Sequence, residues 1–171
     1  QKQRLSERAS EAGFRFADVT LLAPVPRERL ATPAQASGPG AERVAELLNP
    51  LGTRIEAIGP VAGQAAARKL LRSIVVKGLT ALLIEGLRTA ESLDLLDWFS
   101  EHIDETLTGL DTAFLRRLIE GTSSHSERRV HEMLATVEMI EAVGGRPFMA
   151  EATARVLGTA ADGIPRGKAF R

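Results

Sequence analysis

Lys69, Arg72, Ser73, Val76 and Lys77 follow one another at i, i+3, i+4, i+7 and i+8. On an α-helix that spacing puts all five on one face. Leu71, Ile74, Val75, Leu79, Leu82 and Leu83 lie on the opposite side of the same stretch. A lysine set among apolar side chains and other cations gives up its proton more readily, because burial and like charge both penalise the ammonium form. Such a lysine serves as a general acid or base near neutral pH. The spacing is equally that of a lysine snorkelling along a solvated stripe, and by itself it leaves both readings open.

Other chemistry is sparse. Gly59, Pro60, Val61, Ala62 and Gly63 form a turn ahead of the lysine stretch. The free N–H groups of a helix start there would favour an anion, and a simple entry turn has the same residues. The histidines are His102, His125 and His131, and none stands at a metal-ligand spacing from another histidine or a carboxylate beyond the adjacent Glu101 and Glu132. No metal is expected on that basis. The run His125, Ser126, Glu127, Arg128, Arg129 is basic at one end and reads either as an anion contact or as a solvated helix start. There is no Gly-x-Ser-x-Gly elbow, no P-loop and no Gly-x-Gly-x-x-Gly fingerprint.

The elements that must position these residues change character along the chain. Residues 3–12 suit a helix that stops at Gly13, and residues 16–25 read as a buried strand ending at a proline. Residues 26–33 read as a charged loop, and residues 34–37 as a short strand closed by Gly38, Pro39 and Gly40. An amphipathic helix over 41–51 has Val44, Leu47, Leu48 and Leu51 on one side, and a strand follows over 53–59. Strand and helix thus alternate in the first third, with about three strands, too few for a complete doubly wound sheet. From residue 63 onward everything reads as helix. Helices are expected over 63–91, 93–103 and 105–121, with Gly121 as a stop. Another follows a cap at Ser123, Ser124 or Ser126 and runs to Gly144 and Gly145, and a last one spans 147–161 with Pro147 in its first turn. The tail from residue 162 reads as loose. The expected fold is therefore mainly α, with residues 1–62 as a partial α/β edge and residues 63–171 as an all-helical domain.

Bulk properties narrow the function classes. The 171 residues contain 22 Lys+Arg and 22 Asp+Glu, so the chain is neutral and gives no electrostatic reason to expect nucleic acid or an anionic membrane as partner. Aromatics amount to six Phe and one Trp, which is poor for base stacking. The longest apolar run, near residues 79–84, is far too short to span a bilayer. The absence of cysteine excludes disulfides and thiolate chemistry and fits the cytoplasm. The start without methionine, within a helical pattern, reads as the back part of a longer protein.

Three stretches together are similar to a known family: APVPRERLATPAQASGPGAERVAELLNPLG at 23–52, GQAAARKLLRSIVVKGLTALLIE at 63–85 and HSERRVHEMLATVEMIEAVGGRPFMAEATARVL at 125–157. With the order of elements, they resemble the 3-hydroxyacid dehydrogenases, and most nearly the proteins grouped with 6-phosphogluconate dehydrogenase. The resemblance implies an N-terminal nucleotide-binding sheet, here only its trailing edge over 1–62, and a helical C-terminal domain that dimerises. It implies NAD or NADP as cofactor, bound mainly by residues outside this chain, and a small anionic hydroxyacid as substrate. Lys69, six residues after Gly63, falls on the family's catalytic lysine. Arg72, Ser73 and Lys77 fall on substrate-binding positions, where phosphogluconate dehydrogenases have histidine, asparagine and tyrosine. Gly63, His131 and Glu132 fall near the cofactor, and Gly78 and Glu85 match other positions of the family's long helix.

Departures are specific. Pro26, Arg27 and Glu28 stand where the family's substrate loop usually has Ser-Gly-Gly, and Val76 stands where phosphogluconate dehydrogenases have an acid. Both argue against 6-phosphogluconate as substrate, while Arg72 and Lys77 still favour an anion. The expected function is therefore the C-terminal part of an NAD(P)-dependent oxidoreductase acting on a CH–OH group, with Lys69 as acid/base. Without a dinucleotide fingerprint this chain alone is expected to be inactive. The alternative is a non-catalytic helical dimerisation module, because the apolar girth of residues 70–87 demands cover. An imine-reductase-like enzyme resembles the same fold but generally lacks a lysine at the position of Lys69.

Overall fold

A computed structural model describes residues 1–165, with the side chains of Ser123 and Ala161 excepted. Two units are present, Gln1–Gly78 and Leu79–Arg171. The division falls inside one helix, whereas the sequence places it just before that helix, at residues 62 and 63.

In the first unit, α1 (Lys2–Glu11) precedes β1 (Asp18–Leu21), and β2 (Pro33–Ser37), α3 (Ala41–Leu48) and β3 (Arg54–Ala57) follow. The sheet order is β1-β2-β3, with β1 antiparallel and β3 parallel to β2. A parallel pair needs a crossover, and α3 supplies it. Three expectations need correction here. β1 is shorter than residues 16–25 and is only half-buried: Asp18 and Thr20 point inward, while Val19 and Leu21 face out. Residues 26–33 are not a loop. α2 (Val25–Glu28) starts on Pro24 and Pro26, whose fixed φ suits a first helical turn, and a 3₁₀ turn over Arg29–Ala31 follows. The leucines expected on one side of this helix do not face the core: Leu47 and Leu48 of α3 and Leu51 of the 3₁₀ turn after it are exposed, and Ala41 is buried. Small residues fill this core: Ala34, Ala36, Ala41, Ala62 and Ala65.

α4 (Gln64–Ser92) crosses from the first unit into the second. The second unit continues with α5 (Leu96–Thr108), α6 (Thr112–Ser124), α7 (Ser126–Ala142) and α8 (Phe148–Gly158). The break expected near residue 104 lies at residues 109–111 instead. There the Asp111 carboxylate accepts from the Phe114 N–H at 2.6 Å and caps α6, an N-cap that outweighs local helix propensity. α6 then runs past Gly121, and His125, with no side-chain cap, precedes α7 in place of a serine. α7 ends where expected: Gly144, at φ +77°, and Gly145 donate back to Glu141 and Ile140. Pro147 is the residue before α8 and not its first turn. The loose tail expected from residue 162 lies largely outside the described residues.

Candidate functional site

The first unit gathers most of the predicted substrate residues. Lys69, Arg72, Ser73, Val76 and Lys77 line a shallow cleft of about 170 Å³, closed on its other side by Leu21 and Leu22 at the end of β1. Helical spacing puts the five residues on one face, and the sheet brings a strand end up to it. Arg72 Nη1 donates to the Leu22 carbonyl oxygen at 3.3 Å and so ties the helix to the chain leaving β1. Lys69, Arg72 and Lys77 are exposed and Ser73 is half-buried. The apolar surround expected for Lys69 is therefore not met within this unit. Three cations about one small opening make a place for an anion, with the Ser73 hydroxyl as a neutral hydrogen-bonding partner.

The remaining predicted residues lie elsewhere. Pro26, in α2, is exposed and is not part of the cleft lining. Gly63 sits at φ +95° immediately before α4, where a Cβ would meet Lys2 Cβ at 3.3 Å. His131 and Glu132 are exposed on α7 of the second unit, and Glu132 pairs with Arg128 one turn earlier. Among the described residues no group of three or more His, Asp or Glu side chains could hold a metal ion.

The start of α4 is the simple entry turn of the two readings its residues allow. Its first four N–H groups are all taken by the chain itself, so none is left for an external anion. Gln64 donates to the Val61 carbonyl and Ala67 to the Gly63 carbonyl. The Ala65 N–H donates to Ser37 Oγ at 3.0 Å and the Ala66 N–H to Asp18 Oδ2 at 3.2 Å. Sequence reasoning passed over both side chains. A signal existed in Asp18, because aspartate is depleted in strands and here it heads one.

The second unit has its own apolar cavity, of about 350 Å³, walled by α4, α5 and α7 with Trp98, Phe99, Met133 and Met139 prominent. Glu85, at its edge, accepts from the Met149 and Ala150 N–H groups, each at 2.8 Å, and so caps α8 with both oxygens. Gly86 lets α5 approach: a Cβ there would lie 2.6 Å from Phe99 Cζ.

Comparison with known proteins agrees with this architecture. Residues 90–159 match the family described as Domain of unknown function (DUF1932). A conserved protein of unknown function, whose structure is described as similar to 3-hydroxyacid dehydrogenases, is 29% identical with a TM-score of 0.54. The match covers 94% of this chain and 62% of that one. The chain is thus similar to a protein that itself resembles 3-hydroxyacid dehydrogenases. An imine reductase from Myxococcus stipitatus, solved with NAD+, shares the fold at a TM-score of 0.70 and 15% identity, over 99% of this chain and 65% of that chain. An uncharacterized 28.5 kDa protein of Methanothermus fervidus is 32% identical over 117 residues, 68% of this chain and 46% of that protein. The chain thus spans about half the length of the curated relative it matches. No described helix is long and apolar enough to cross a membrane.

Proposed function

We propose that this chain is the C-terminal part of a cytoplasmic NAD(P)-dependent oxidoreductase that acts on the CH–OH group of a small anionic hydroxyacid. The observation that carries the reading is the cleft that collects Lys69, Arg72, Ser73 and Lys77 beside the end of β1. In this reading Lys69 Nζ takes the proton of the substrate hydroxyl in the oxidation direction and returns it in the reduction direction. Arg72 and Lys77 hold the anionic group, and Ser73 hydrogen-bonds the substrate. Residues 1–62 are the trailing part of the nucleotide-binding domain and residues 63–171 the helical substrate and dimerisation domain.

The residues of this chain do not fit a whole dinucleotide site. No glycine fingerprint is present, and the amides at the start of α4 are engaged within the chain. The hydride acceptor is therefore held mainly by residues outside this chain, with Gly63 of the first unit contributing at its margin. The bound NAD+ of the fold relative supports a nicotinamide cofactor. The test is the absorbance of reduced nicotinamide when the full-length protein meets a panel of small hydroxyacids with NAD and with NADP. Turnover of at least one anionic hydroxyacid is expected. No turnover of any, with either cofactor, overturns the reading in favour of a non-catalytic helical module.

The proposal includes a homodimer. Leu70, Leu71, Ile74 and Val75 of α4 are each 64–70% exposed, and a run of large apolar side chains on consecutive helical turns calls for cover. Light scattering is expected to give twice the chain mass, and the pair Ile74→Glu and Val75→Glu to return the monomer. A wild-type monomer at high concentration would contradict it.

A further inference from the structure

Asp18 is 1% exposed and Ser37 is fully buried, yet neither belongs to the cleft. Buried polar side chains are retained where they are satisfied and where they fix geometry. These two stand opposite each other in the register of β1 and β2. Side by side, they accept from two successive N–H groups of α4, Ser37 from Ala65 and Asp18 from Ala66. The other Asp18 oxygen forms an ion pair with Lys2 of α1 at 2.8 Å.

This platform is rigid for reasons in its surroundings. Gly38 follows Ser37 at φ +112°, and a Cβ there would lie 2.7 Å from the Phe16 carbonyl oxygen. The Gly38 N–H donates to the Gly59 carbonyl, and the Ile58 N–H to the Ala36 carbonyl. The chain entering α4 is thereby stitched to the end of β2. Ala65 itself is fully buried, which leaves the first turn no room to slide.

Lys69 lies four residues after Ala65 and three after Ala66, on the same face of the helix. It stands about 5 Å along the axis from the two capped amides. Arg72 and Ser73 follow one turn later.

We infer that Asp18 and Ser37 are positioning residues: by capping Ala65 and Ala66 they set the rotation and axial height of α4 on the sheet, and so where Lys69 Nζ meets the substrate hydroxyl. The inference rests on the acid/base role of Lys69 proposed above. Reacting groups tolerate little displacement, since an error of about 1 Å can cost up to about a hundredfold in rate.

The acceptor atom does the positioning, so the variants divide by it. In the full-length protein, Asp18→Ala and Ser37→Ala are expected to lower kcat about tenfold each while KM for hydroxyacid and cofactor stays within about twofold. Asp18→Asn retains an oxygen for the Ala66 N–H and is expected to keep kcat within about threefold of wild type. Amide exchange at Ala65 and Ala66 should quicken about tenfold in the alanine variants and not in Asp18→Asn. Ser37→Ala removes one hydroxyl only and serves if Asp18→Ala does not fold.

Two failures are distinguishable. If Lys69→Ala turns over normally, the acid/base reading falls and this inference with it. If Lys69→Ala is inactive but Ser37→Ala and Asp18→Ala match wild type, or raise KM and leave kcat alone, only the positioning inference is overturned. Equal losses in Asp18→Asn and Asp18→Ala would likewise overturn it, by making charge and not acceptor geometry the cause.

Discussion

Lys69→Ala in the full-length protein is expected to lower kcat about a thousandfold, within the range a positioned general acid/base contributes, with cofactor binding unchanged. The side chain is exposed on α4, and alanine is the best helix former. The variant should therefore fold and melt like wild type, which separates a chemical loss from a structural one. Lys69→Arg is the sharper comparison. It keeps a cation beside Arg72 and Lys77, so anion attraction survives, but a guanidinium does not release its proton. If Lys69 only attracts the substrate, Lys69→Arg retains turnover. If Lys69 moves a proton, both variants are inactive. Steady-state assays at the reduced-nicotinamide band, with cofactor binding followed by fluorescence, read both quantities. Turnover within tenfold of wild type in either variant would sink the acid/base assignment.

Glu85→Ala carries the largest expected loss of stability. Both carboxylate oxygens accept from the first amides of α8, Met149 and Ala150. Pro147 precedes that helix and caps nothing with its side chain. Truncation leaves two part-buried N–H groups without their acceptor and removes a negative charge from the positive end of the helix. The expected cost is about 2 kcal/mol, which for a unit of this size lowers Tm by roughly 10 °C. Glu85→Gln retains one acceptor oxygen and is expected to lose about half as much. Circular dichroism during thermal and urea unfolding measures both. A loss under about 0.5 kcal/mol for Glu85→Ala would mean that water or another group takes over the cap.

The sequence by itself determined the class of the fold and the order of its strands and longer helices, though not the short helix α2. Helical spacing placed Lys69, Arg72, Ser73 and Lys77 on one face, and the structure keeps them on one cleft. Turn chemistry located the end of β2 at Gly38 and the end of α7 at Gly144, because those positions need a positive φ. Local signals of this kind act over a few residues and are readable without the fold.

What only the tertiary structure decided depends on residues far apart in sequence. Asp18 and Ser37 meet Ala66 and Ala65 across 48 and 28 residues, and Glu85 meets Ala150 across 65. No local pattern announces such pairs. The inside and outside of β1 were also out of reach. A run of β-formers reads as apolar inward, yet here the inward residues are Asp18 and Thr20. The partners of Asp18, the start of α4 and Lys2, satisfy it only once the sheet and helices are assembled. Backbone donors that must be capped decided the orientation, because an unsatisfied buried N–H costs more than an exposed valine.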